Sequence, residues 1–577
     1  MKVAIFLLTI FVFFTSTSAI INGNWKLYRP ANKNDRVKLL VVLKRSTESV
    51  QKLEERFWAV STPSHPDYGK FLSKNDLKEM MKIPMKQINL VRNYFTSFGK
   101  NDVKIELNAH QDALNIEMNA LLANKIFKTT LNIYKHTHIE TASDIIRTEE
   151  GYIMPLPNEV DFVGNLEEFP HVWQLQSEEN EKKSSSFVKK IETNMNNNEA
   201  VGDWPTACGK CANGLFGKRV TPAVLTEAYN LGNAPNGTAK GAIAVAEFTQ
   251  VYWDQEDLDL FAQECQLKNI SIDMHGENKP SQCHVSIIIR PNLCKEAILD
   301  IETIKGIAGS IPLSNYYTDQ YSILDWSETI NNLENPPMVH SISYGNDESQ
   351  QSSVQYMYQV NVALQKLGVR GLTVLFASGD GGVFGRRGSN KRFHPGFPAT
   401  SPYVTSVGGT DFSTPGSIGS ETAWSGSGGG FSDTFGIPKY QADAVAAYKK
   451  TPSLPDQSKW NNTGRGFPDV AALGGNKNQY CITLNNNPTG AYGTSAATPV
   501  WGAIVAKLNE LRLAQGKSPM GFMNPFLYAN PSALNDVTTG CNGGKAQDGK
   551  FGFPAAKGWD AATGLGTPNF EKLASLI

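Results

Sequence analysis

Gly241-Ala-Ile-Ala-Val-Ala-Glu-Phe248, Met338-Val-His-Ser-Ile-Ser343 and Leu372-Thr-Val-Leu-Phe-Ala377 are short runs that stay apolar at nearly every position. A strand with one wet face alternates, whereas a strand covered on both faces does not. These runs, together with Val285-Ser-Ile-Ile-Ile289, therefore read as buried strands. The segments between them change to helical spacing at Gln255–Cys265, Glu296–Ala308 and Ser353–Leu367. Strand and helix in alternation predict an α/β unit whose mostly parallel sheet is covered by helices. In such sheets the active site gathers at the carboxyl ends of the strands.

Working outward, the region before this unit has a different character. Residues 20–175 hold no cysteine and read as a modest α+β domain, with a strand-like run Val37–Lys44 and helical spacing over Thr47–Ala59. Residues 176–204 are polar and poor in apolar side chains, as in Ser-Glu-Glu-Asn-Glu-Lys-Lys-Ser-Ser-Ser, and predict a flexible linker open to proteolysis. Residues 1–19 read as an export signal: Lys2 is basic, Val3–Phe14 is apolar, and Thr17-Ser18-Ala19 offers a cleavage site. That apolar run is shorter than the roughly 20 residues a membrane span needs, and no later segment supplies one. The remainder is then 205–577.

Lys plus Arg number 54 and Asp plus Glu 55, a balance that argues against a nucleic-acid partner. All seven cysteines lie beyond residue 200, and export would put them where disulfides form. Cys208-Gly-Lys-Cys211 has zinc-ligand spacing but lacks a second pair to complete four ligands. Asn236, Asn269 and Asn461 head glycosylation sequons.

Three stretches could carry chemistry. In Ala491-Tyr-Gly-Thr-Ser-Ala-Ala-Thr-Pro-Val500 small residues surround Ser495, and a helical pattern (Trp501, Ile504, Val505, Leu508, Leu511) follows. Ser495 thus falls at a helix N-terminus, where it is either a cap or a nucleophile beside free N–H groups, with Pro499 in the first turn. A serine nucleophile needs a base. The four histidines beyond residue 200 (His275, His284, His340, His394) have no setting that suggests one. Glu296 and Asp300 stand four apart on one face of an apolar helix, so burial would make them compete for a proton. Glu302 lies on another face and reads as an ordinary solvated acid. Asp380, in Ser378-Gly-Asp-Gly-Gly382, follows a predicted strand in a glycine-rich turn.

Together these stretches resemble the sedolisin family of serine-carboxyl peptidases, most closely its tripeptidyl-peptidase branch. Gly493-Thr-Ser-Ala-Ala-Thr-Pro499 is similar to the family's serine motif, Glu296-Ala-Ile-Leu-Asp300 to its Glu-x-x-x-Asp helix and Ser378-Gly-Asp380 to its oxyanion-hole aspartate. Ser343-Tyr-Gly345, Phe397–Val404, Ser427–Phe431 and Phe467–Ala471 match in the expected order, and His65–Ser73 is similar to a propeptide motif. The resemblance implies a subtilisin-like fold and an acid peptidase that releases tripeptides, with an endopeptidase or an inactive binding homologue as alternatives. It implies that Ser495 attacks, Glu296 takes its proton, Asp300 orients Glu296 and Asp380 donates to the oxyanion. A carboxylate base and a protonated aspartate both suit acid, so the activity optimum is expected well below neutrality. It further implies one Ca²⁺ held by Asp536 and Asp560 with main-chain oxygens of Val537, Ala556 and Gly558. The implied partners are peptide and protein substrates and the chain's own propeptide as inhibitor, in a lysosome or a secreted acidic setting.

Overall fold

The structure, a computed structural model, describes residues 24–137, 142–170, 204–209, 218–232, 241–268, 270–284, 294–386, 392–543 and 552–577. The signal, residues 176–203 of the linker, the run 285–289, Cys211, Asn236 and Asn269 lie outside the described residues.

The central sheet follows the order 421–423, 405–412, 373–377, 339–342, 243–248, 313–318 and 273–275, with 470–473 also pairing with 405–412. All these pairings are parallel except that of 421–423 with 405–412. Each of the strands Ile243–Phe248, Val339–Ile342 and Thr373–Ala377 is buried along its whole length, which is why none of them alternates. Helices Lys295–Ala308 and Thr494–Ala514 share one apolar core on one face of the sheet. Helices Ile323–Asn332 and Val354–Val369 share a second core on the other.

The N-terminal unit contains a four-stranded antiparallel sheet in the order 104–107, 113–119, 36–43 and 160–164. Helices 47–61, 74–81 and 85–96 intervene between its first two strands in sequence, and 120–127 between its last two. This is the β-α-β-β-α-β ferredoxin-like arrangement. Strand Arg36–Leu43 explains its own composition. Val37, Leu39, Val41 and Leu43 enter the unit's own core, while Leu40 and Val42 join Ala113 and Phe162 in the core built on helices 323–332 and 354–369. Burying each of the larger side chains contributes about 1.5–3 kcal/mol, so docking is apolar at its centre. Phe57 and Trp58 of helix 47–61 extend the contact against Tyr403, Tyr440 and Phe522.

Two disulfides, Cys208–Cys265 and Cys283–Cys294, join described residues. Cys208 is thus committed to a disulfide and not to a metal. Among the described residues no helix is long and apolar enough to cross a membrane.

Candidate active site

Two helix N-termini converge at the carboxyl end of the sheet. Thr494 opens one helix behind Gly493, and Lys295 opens the other behind Cys294, so Ser495 and Glu296 each occupy a first turn. The unpaired N–H groups there favour negative charge. The Ser495 hydroxyl neighbours the Glu296 carboxylate and favours its ionised form. Its Oγ also stands 3.5 Å from the carbonyl of Ser343, the residue after strand Val339–Ile342. Pro499 is the sixth residue of its helix, so it sits in the second turn and not the first. Having no N–H, it leaves the Ser495 carbonyl without its helical donor; the Ser343 hydroxyl lies 3.4 Å from that carbonyl.

Asp300, one turn after Glu296, is fully buried, and the Ser343 Oγ lies 2.8 Å from both its carboxylate oxygens. A third carboxylate, missed by sequence reading, completes the group. Glu247 is fully buried near the end of strand Ile243–Phe248 and accepts the Tyr344 hydroxyl at 2.6 Å. The signal was there: a single acid inside an otherwise apolar strand needs a partner or a proton.

Burial pushes the Glu296 carboxyl up to about 7; the Ser495 hydroxyl, Lys295 and Arg386 favour its ionised form, and the Asp380 charge opposes it. Asp300 is pushed well above the carboxylate range by burial and by the Glu296 and Glu247 charges. Glu247 is raised likewise by burial and by Glu296, against the Tyr344 hydrogen bond. Only Glu296 combines a helix first turn with nearby cations, so the negative charge of the trio resides there. Glu302, expected to be solvated, is 1% exposed and accepts the Thr483 N–H at 3.1 Å. The helix is buried on nearly every side, which leaves no wet face for it.

Asp380 lies three residues beyond strand Thr373–Ala377. Its Oδ1 accepts both the N–H (2.7 Å) and the hydroxyl (2.9 Å) of Thr494, the neighbour of Ser495. Burial raises its pKa against those two hydrogen bonds. Its Oδ2 is the oxygen left to carry a proton. Gly493, at φ +140°, is obligatory there, because a Cβ would stand 2.8 Å from that Oδ2. The histidines are elsewhere: His284 bonds Asp254, His275 bonds Asp273 and stacks on Tyr316, and buried His340 bonds the Pro337 carbonyl. None is a partner of Ser495 among the described residues.

The C-terminal residues of interest meet at one loop. Asp536 accepts the Gly558 N–H at 2.9 Å, and buried Asp560 accepts the N–H groups of Ala556 (3.0 Å), Ala562 (2.9 Å) and Thr563 (2.8 Å). Among the described residues no group of three or more His, Cys, Asp or Glu side chains could hold a metal.

This chain is 33% identical to tripeptidyl-peptidase 1 of Mus musculus and of Homo sapiens, with 96% of this chain and 93% of either relative covered. It belongs to the sedolisin family, in the tripeptidyl-peptidase branch. The Canis lupus familiaris tripeptidyl-peptidase 1 is 34% identical over 92% of this chain and 90% of its own. Residues 23–169 match the Pro-kumamolisin activation domain, and residues 302–520 match the subtilase family. The Pseudomonas sedolisin, a serine-carboxyl proteinase solved with two molecules of pseudo-iodotyrostatin, superposes with TM-score 0.51 at 24% identity. It covers 62% of this chain and 98% of its own, and supports the subtilisin-like fold. The sedolisin assignment accounts for a peptidase unit with a propeptide docked in front of it.

Proposed function

We propose that this chain is the zymogen of an acid serine peptidase that removes tripeptides from free N-termini. The observation that carries the reading is the buried Ser495 hydroxyl beside the buried Glu296 carboxylate at two converging helix N-termini. In the proposed reaction Ser495 Oγ attacks the peptide carbonyl as its proton passes to Glu296. The tetrahedral oxyanion accepts a hydrogen bond from the Asp380 Oδ2–H. Glu296 then gives the proton to the departing amine nitrogen, the C–N bond breaks, and an acyl-serine remains. Water attacks that ester while Glu296 again takes the proton, and Glu296 returns it to Ser495 Oγ as the tripeptide acid leaves. Asp300 and Glu247, both protonated, hold Glu296 in place without competing for its charge. Glu296 and Asp380 interact, so between the loss of the first and of the second proton the pair holds one, and the active arrangement is the one with that proton on Asp380.

The same reading takes residues 20–175 as propeptide and 176–204 as the segment cut on activation. Export through the secretory pathway to a lysosome or another acidic space fits the two disulfides. Of the sequons, Asn461 lies at the half-buried start of a turn, its Oδ1 accepting the Thr463 N–H at 3.1 Å.

A calcium ion is part of the proposal. Asp560 is buried without a countercharge among the described residues, and burial pushes its carboxyl up to about 7 despite three backbone donors. A hard dication bound by Asp536, Asp560 and the carbonyls of Val537, Ala556 and Gly558 fits the oxygen-only donor set. The ion would supply the missing positive charge and tie loop 556–560 to Asp536. Chelation is then expected to lower the melting temperature, and a chelated enzyme with unchanged stability and activity would remove calcium from the account.

The deciving assay incubates wild type and Ser495→Ala in acid, then offers a peptide with a free N-terminus and its acetylated copy. Release of a three-residue product from the free peptide alone, and only by wild type, is expected. Cleavage of both peptides would make the enzyme an endopeptidase, and no Ser495-dependent cleavage would make it a binding homologue.

A further inference from the structure

Strands Lys104–Leu107 and Ala113–Asn119 form a hairpin whose turn, residues 108–112, points into the peptidase unit. At that tip Asn108 is 6% exposed, and His110 and Asp112 are 0% exposed. Asn108 Nδ2 donates to Glu328 of helix Ile323–Asn332 at 3.0 Å, and the Ala109 N–H donates to Asn332 Oδ1 at 3.0 Å. Asp112 meets Lys366 of helix Val354–Val369 at 2.7 Å. The tip is therefore a wedge between two helices of the other unit, and its burial depends on docking.

His110 is the uncompensated member of this wedge. Neither ring nitrogen has a hydrogen-bond partner among the described residues. The charges around it come from every packed element: Asp112 on its own hairpin, Lys74 opening a propeptide helix, Glu328 on one peptidase helix, and Lys366 and Arg370 on the other. Arg45 adds a further cation through its 2.8 Å ion pair with Asp112. Glu334 pairs with Lys74 at 3.4 Å, so four cations face three carboxylates, and a charged imidazole would add a fifth positive charge in a site closed to water.

We propose that His110 is the acid sensor of the precursor: protonating its imidazole drives the hairpin tip out from between the two helices and loosens the propeptide before any bond is cut. The proposal rests on the zymogen reading above. Its sign follows from linkage. Burial, with Lys366 next, pushes His110 down to about 3 in the docked form. Undocked, the tip is solvated and the imidazole returns to its ordinary value near 6.5. The docked form therefore binds fewer protons, and its advantage is complete above about 6.5 and falls with pH toward 3. Between pH 7.5 and 4.5 that single group weakens docking by about 100-fold. Asp112 does not take this role: burial alone would raise it, but Lys366 and Arg45 outweigh burial and hold it far below the ordinary carboxylate range.

The test uses the full-length Ser495→Ala precursor, which cannot process itself, with and without His110→Gln. Hydrogen exchange of hairpin amides 104–119, normalised to the intrinsic rate at each pH, reports docking. Protection in the parent is expected to fall by up to about 100-fold from pH 7.5 to 4.5, and far less in His110→Gln. Equal losses in both proteins, or no loss in the parent, would overturn the assignment. Should His110→Gln prove undocked at pH 7.5, the imidazole of the parent precursor is titrated by NMR instead. A strongly depressed value while the hairpin stays protected supports the sensor, and an ordinary value with protection intact overturns it. The zymogen reading fails separately, if uncut wild-type precursor is already fully active on peptide.

Discussion

Two buried groups of carboxylates in this protein are treated in opposite ways. At the hairpin wedge, Asp112 is fully buried and meets Lys366 at 2.7 Å and Arg45 at 2.8 Å. Under the active site, Glu247 and Asp300 are just as buried but among the described residues meet hydroxyls, from Tyr344 and Ser343. The first site keeps its charge and loses its affinity for protons; the second keeps its protons. Burial alone therefore does not set what an acid does. The neighbour decides, an ammonium or guanidinium making a carboxylate into a strut and a hydroxyl making it into a proton store.

The largest expected effect breaks the charged half of this comparison. Asp112→Ala leaves Lys366 and Arg45 buried without their shared anion, and the cost should be about 3–5 kcal/mol in the stability of the precursor. Urea unfolding of precursor and separated mature enzyme measures it, the mature form of either protein being unaffected. A loss below about 1 kcal/mol would mean that water reaches the wedge.

The proton-storing half predicts a much smaller effect. Glu247 is already neutral at the working pH, so Glu247→Gln should change kcat/KM in acid by less than about tenfold, or 1.4 kcal/mol. A hundredfold loss would show that Glu247 carries charge in the active enzyme, and the charge would then have to be reassigned from Glu296.

Much of this was legible in the sequence for identifiable reasons. The runs 241–248 and 372–377 were readable as buried strands because covering both faces of a sheet removes alternation. Glu296 and Asp300 were readable as a pair because four residues make a helical turn, and the structure buries both at one site. What escaped was contact across the chain. The partnership of Glu247 with Tyr344 spans 97 residues, and only parallel pairing of strands 243–248 and 339–342 brings them together. Glu302 was misread because helical spacing tells which residues share a face, not whether any face is wet. The hairpin wedge was equally invisible, since His110 looks like a turn residue until helices 323–332 and 354–369 close over it.

The proton arrangement itself is the central claim, and the pH dependence of kcat/KM for mature wild type against Asp380→Asn tests it most directly. Glu296 and Asp380 titrate as a pair, so wild type should give a bell with its top on the acid side of neutrality: activity rises as the pair loses its first proton and falls as it loses the second, near 7. Asparagine cannot ionise, so Asp380→Asn should lose the alkaline limb along with about 10²–10³ of its maximum rate. A wild-type profile that climbs to a plateau at pH 7–8, or an Asp380→Asn profile with the alkaline limb intact, would contradict the account.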